Sequence, residues 1–73
     1  MIVIKTRAIK FWIQEAGFRS QAEFARAANI DRSRLNKIIN NSFEGGLSLA
    51  TVDKLCAVLD CQPGEILEYR PEK

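Results

Sequence analysis

Between positions 32 and 37 the chain sets three cationic side chains, Arg32, Arg34 and Lys37, inside six residues and interleaves them with Ser33 and Asn36. Guanidinium and ammonium groups donate charge-assisted hydrogen bonds to phosphate oxygens and to the O6 and N7 acceptors of guanine. Ser can serve either base type, and Asn or Gln can hold a phosphate oxygen. Across "NIDRSRLNK" (29–37) the apolar residues are Ile30 and Leu35 alone. A solvated helix face accounts for such a pattern. So does a helix that lies against phosphates and bases, and the surrounding sequence has to decide.

The charge of the whole chain is only +2, but it is unevenly spread. Residues 1–40 hold eight basic and three acidic side chains, net +5, while residues 41–73 hold three basic and six acidic, net −3. A field that points one way steers association with a polyanion, which a uniform +2 does not. With no His, no Gly-rich phosphate loop and no clustered carboxylates, the acid, base and metal roles of an enzyme have no candidates, so a non-enzyme without cofactor or small-molecule ligand is expected. Cys56 and Cys61 form neither a secreted-type framework nor a zinc constellation and read as small core residues. No run approaches a membrane span, and "MIVIK" is too short for a signal-peptide core, which makes the cytoplasm the expected compartment.

Those basic residues need elements to position them. Seventy-three residues suit one small domain. "MIVIK" is β-branched and reads as a short strand, whereas Ala8, Ile9, Trp12, Ile13 and Ala16 follow helical spacing up to a stop at Gly17. Ser20, with Glu23 three residues on, has the form of a capping box for a second helix ending near Ala28. Asn29 tolerates the left-handed turn conformation, Ile30 is an apolar plug, and Asp31 caps a third helix whose buried stripe is Leu35, Ile38 and Ile39. Ser48 caps a fourth helix carrying Val52, Leu55, Cys56 and Leu59, and Pro63 opens a fifth within "PGEILE". "MIVIK" alone would expose an apolar edge, so pairing with "LEYR" is expected. The prediction is an all-α domain of five helices with a terminal two-strand pairing.

Two short helices joined by a tight turn form a helix-turn-helix, here residues 20–40, whose second helix enters the major groove of DNA. "SQAEFARAANIDRSRLNKIINN" resembles the helix-turn-helix of the phage-repressor, Cro-like (XRE) family: Ser20, Gln21, Ala25, Ile30, Leu35 and Ile38 match its pattern in type and spacing. "LSLATVDKLCAVLDCQPGEIL" is similar to the family's fourth and fifth helices. The resemblance implies a lambda-repressor-like fold, double-stranded DNA as partner and a transcriptional regulator, most simply a repressor. It puts Gln21 on a phosphate and Arg32, Ser33 and Lys37 on base edges. Arg34 and Asn36 fall at phosphate or mixed contacts, with Asn40 along the backbone. Taken singly, Ser20 is also a plain helix cap and Arg34 also a solvated charge.

The sequence departs from the family pattern in four places. Asn29 replaces the turn Gly and Asp31 the usual Ser, changes that keep the turn geometry and the cap. Ile39 and Asn41 replace the Glu and Gly that end the third helix. Ile39 and Phe43, four apart, then either complete the core or form an apolar patch beside the reading helix. One such domain reads half a site, so a homodimer is expected, either through the terminal edge of "MIVIK" and "LEYR", the favoured surface, or through the Ile39 and Phe43 patch. The rival reading keeps the fold but docks on a protein, as an antitoxin or anti-repressor would, through Trp12, Ile39 and Phe43.

Overall fold

The computed structural model describes residues 1–43 and 46–71. Along the chain run β1 (Ile2–Ile4), α1 (Thr6–Glu15), α2 (Gln21–Ala28), α3 (Arg32–Ile39), α4 (Leu49–Leu59), α5 (Pro63–Ile66) and β2 (Leu67–Tyr69). This is the expected five-helix order with its terminal pairing, antiparallel in the register Ile2 to Tyr69, Val3 to Glu68 and Ile4 to Leu67. "PGEILE" is shorter than a helix of six: after one turn Leu67 is extended, because pairing with Ile4 replaces a second helical turn.

Four of the five helices, α1 to α4, stop in the same way. The residue after the last turn takes a left-handed conformation: Gly17 (φ 90°), Asn29 (φ 55°), Asn41 (φ 57°) and Asp60 (φ 53°). Paired backbone bonds accompany the turn. At α2, Asn29 N–H reaches Arg26 O at 3.2 Å and Ile30 N–H reaches Ala25 O at 2.9 Å; at α3, Asn41 N–H reaches Ile38 O at 3.1 Å and Ser42 N–H reaches Lys37 O at 2.8 Å. Such bonds satisfy the carbonyls that a helix end leaves without partners. The starts of α2, α3 and α4 are capped by side chains. Ser20 Oγ accepts from Glu23 N at 3.2 Å, Asp31 Oδ2 from Ser33 N at 3.1 Å and Arg34 N at 3.3 Å, and Ser48 Oγ from Thr51 N at 3.1 Å. The expected capping box of α2 is displaced by one residue, since Glu23 accepts from Arg19 N rather than from Ser20.

Ile4, Ile9, Phe24, Leu35, Ile38, Ile39, Leu55 and Ile66 are fully buried and come from every helix and from β1. Phe18 packs on Phe24 with ring centroids 5.4 Å apart. Of the two roles open to Ile39, the core one holds, and Phe43 is half-buried against the same core. Trp12 is also half-buried there.

Backbone bonds of Lys5 to Ile66 O and of Arg70 to Met1 O, both 2.8 Å, turn the odd-numbered residues of β1 toward β2. Ile4 faces the other way, and Asn41 occupies it: Oδ1 accepts from Ile4 N at 2.8 Å and Nδ2 donates to Ile4 O at 3.0 Å. Continuing the sheet across a two-fold axis from β1, the favoured dimer surface, is therefore closed at Ile4.

Cys61 is buried and Cys56 half-buried, both as free thiols. Burial, with the Cys56 thiol beside it, pushes the Cys61 thiol up to about 11. The unfolded chain ionises near 9, so the stability tied to the neutral Cys61 thiol is present below pH 9 and lost as pH rises toward 11. Urea midpoints measured between pH 8 and pH 11.5 should fall less steeply for Cys61→Ala than for the wild type; parallel curves would contradict this.

The left-handed turn at Asn29 gives a second check. Asn29→Gly should be neutral or mildly stabilising, whereas Asn29→Val should cost more than about 1 kcal/mol, because a β-branched residue resists positive φ. Equal denaturation midpoints for the two variants would contradict the turn.

Candidate nucleic-acid interface

α3 is amphipathic in a way that leaves one side for a partner. Leu35, Ile38 and Ile39 are buried, while Arg32, Ser33, Arg34, Asn36, Lys37 and the capping Asn40 are all exposed. Little more than two helical turns thus bring six of the seven sequence-predicted residues to one exposed side. Among the described residues the ion pair found is Arg70 with Glu68, at 3.0 Å, so the three cations of α3 carry no intramolecular counter-charge there. Asp31 is the acid beside them. Its carboxylate is spent on the N–H groups of Ser33 and Arg34, where the positive end of the helix dipole favours it.

Two side chains work as a pair. Asn40 Nδ2 donates to Asn36 Oδ1 at 3.1 Å and to Asn36 O at 3.0 Å. With its Oδ1 engaged by Asn40, the amide group that Asn36 can offer is its Nδ2 donor, which suits a phosphate oxygen or a purine N7. Asn40 is held against Asn36 by these two bonds.

Beyond Lys37 the surface dips into a hollow of about 400 Å³ lined by Arg34, Lys37, Ile38, Ser42, Phe43 and Leu47. Its rim is cationic and its floor apolar, the form of a seat for a backbone phosphate and sugar. Gln21 lies apart from α3, half-buried at the first position of α2. There it lines a second hollow, of about 350 Å³, with Lys10, Gln14, Arg19 and Ser20 over Ile13 and Phe18. Lys10 and Arg19 are additional cations for a phosphate that the sequence reading missed. Arg19 is one residue outside the matched motif, and Lys10 reaches the site only because α1 packs beside the start of α2.

The carbonyl end of α3 is tied down at two points, the Asn41 clip on Ile4 and Thr6 Oγ1, which donates to Ile39 O at 2.7 Å. Both anchors lead from α3 to the β1 segment and the start of α1. Among the described residues no three potential ligands converge as a metal site, and no helix is long and apolar enough to cross a membrane.

A family model for the Cro/C1-type HTH DNA-binding domain matches residues 9–72. The chain is 35% identical over 54 residues to a protein of Bacillus subtilis (strain 168) named as an uncharacterized HTH-type transcriptional regulator, YozG. That alignment spans 74% of this chain and 63% of the relative, so it leaves more than a third of the relative's length uncovered. No solved structure gives a significant match.

The clip can be separated from the turn it sits in. Asn41→Gly keeps the left-handed turn but loses both bonds to Ile4, and should cost about 1 to 2 kcal/mol. Asn41→Ala loses the bonds and strains the turn, adding roughly 1 kcal/mol more. Chemical denaturation decides: an Asn41→Gly variant as stable as wild type would mean that the clip contributes nothing.

Proposed function

The chain belongs to the Cro/C1-type HTH DNA-binding domain family, and from that premise we propose that it is a sequence-specific transcriptional repressor which reads the major groove of double-stranded DNA with α3. The observation that carries this is the division of α3: its apolar stripe is spent on the core, and Arg32, Ser33, Asn36 and Lys37 stand together on the opposite, exposed side. In this reading Arg32 and Lys37 donate to guanine O6 and N7, Ser33 bonds either base type, and Asn36 offers its amide donor. Arg34 and the hollow beyond Lys37 take a phosphate. Gln21, with Lys10 and Arg19, takes another, and these contacts set the register without reading sequence. The relative named as a transcriptional regulator supports a regulatory role. The domain pairs as a homodimer on a pseudo-palindrome, with half-sites about 34 Å apart. Its place of action is then the cytoplasm, and no catalytic step is assigned to it.

The rival reading, docking on a protein through Trp12, Ile39 and Phe43, loses its main support because Ile39 is fully buried and the other two are half-buried in the core.

Arg32→Ala and Lys37→Ala should each remove about 1 to 3 kcal/mol of discrimination at one base pair, whereas Gln21→Ala should weaken binding to every sequence alike. Affinities for the bound duplex and its single-base variants, measured at fixed salt, check this. Unchanged base preference in the Arg32 and Lys37 variants would remove them as readers.

A further inference from the structure

The two cysteines are the nucleophilic side chains to which the DNA reading gives no part, and the end of α4 brings them together. Asp60 takes the left-handed conformation just past the last turn, and Cys61 N–H bonds back to Cys56 O at 3.2 Å. That bond belongs to the helix-end motif in which the two side chains so linked meet. They do so here, the Cys61 thiol donating to Cys56 Sγ. Both thiols open onto a hollow of about 430 Å³ lined also by Asp53, Ala57, Gln62 and Pro63. We propose that this pair is a two-coordinate site for a soft divalent cation of the Hg(II) class, held between Cys56 Sγ and Cys61 Sγ. None of the residues assigned to DNA lines the hollow, so the proposal stands apart from that reading.

Donor type, ligand number and charge together select the ion. Thiolates favour soft metals, but zinc takes four ligands and iron–sulfur clusters four thiolates. Among the described residues no third Cys, Asp or Glu converges with the pair as a metal site. Hg(II), a soft ion with a filled d shell, is satisfied by two thiolates in a line. Charge separates it from a monovalent soft ion such as Cu(I). Two thiolates around a monovalent ion leave one uncompensated negative charge. Burial disfavours that charge, as do Asp53, Asp60 and Glu65 nearby and the carbonyl end of the eleven-residue α4. Around a divalent ion the charge cancels. Binding breaks two S–H bonds, forms two S–Hg bonds and releases two protons, with no change of oxidation state. The same burial and acidic neighbours hold both thiols protonated, which leaves little of the thiolate that oxidation by a peroxide requires. Coordination is therefore favoured over a disulfide. It also needs little rearrangement, because an S–H···S contact and an S–metal–S bridge span similar distances.

Titration of Hg(II) chloride into the reduced full chain, without oxygen and with glutathione as competing monothiol, tests it. The wild type should take up one ion per chain, seen as a sulfur-to-metal charge-transfer band in the ultraviolet and as loss of both thiols to a thiol reagent. Cys56→Ser should bind more than about 100-fold less tightly, since losing a direct ligand costs more than losing a partner behind one. Cys61→Ala should lose the ion equally, so either variant whose circular dichroism matches the wild type decides. Asp53→Asn, which removes a charge from the hollow but no ligand, should bind like the wild type. A folded Cys56→Ser or Cys61→Ala variant that binds like the wild type would overturn the proposal. So would two ions per chain, one on each thiol, or one ion shared by two chains. An Asp53→Asn variant as weak as Cys56→Ser would make the carboxylate a ligand and overturn the two-coordinate site.

Discussion

Everything in this fold depends on holding an eight-residue helix that cannot hold itself. A helix of that length is far below what survives alone in water, because its nucleation cost is spread over too few hydrogen bonds. α3 persists because Leu35, Ile38 and Ile39 are removed from water together, each worth about 1.5 to 3 kcal/mol relative to exposure. Their burial also fixes rotation about the helix axis. Once those three face inward, Arg32, Ser33, Asn36 and Lys37 have no choice of side, so the residues that supply the packing energy also decide which polar side chains stand exposed.

Rotation is one freedom; translation and tilt are others. The Asp31 carboxylate fixes the start of α3 and the Asn41 turn its end, while Asn41 and Thr6 attach that end to the β1 segment and the start of α1. Ile4 contributes on both counts, with a fully buried side chain and a backbone clasped by Asn41. The terminal sheet, three residues to a strand, is too small to be a layer of its own, and it serves as the abutment against which α3 is set.

The helix-turn-helix was legible because its signals are local: Ser20, Asn29 and Asp31 announce caps and a turn in neighbouring residues, and Leu35 with Ile38 shows the period. The terminal pairing was legible from the exposed apolar edge that it removes. Asn41 stands where the family pattern ends the third helix, but its clip on Ile4 and the left-handed turn at Asp60 were not legible, because the one needs a partner 37 residues away and no local motif marks the other. The role of Ile39 stayed open for a related reason: whether the third helix's last turn buries it depends on the β1 segment, which lies more than thirty residues away. The Lys10 hollow joins separate stretches, and no spacing in the chain encodes it.

The central claim is that the exposed side of α3 reads base edges and that two copies do so together. Selection of bound sequences from random duplex DNA by the wild-type chain tests it most directly. The account predicts an enriched two-fold motif with half-site centres about one helical turn, 10 to 10.5 base pairs, apart. Recovery of duplexes with no enriched motif, bound through charge alone, would contradict it.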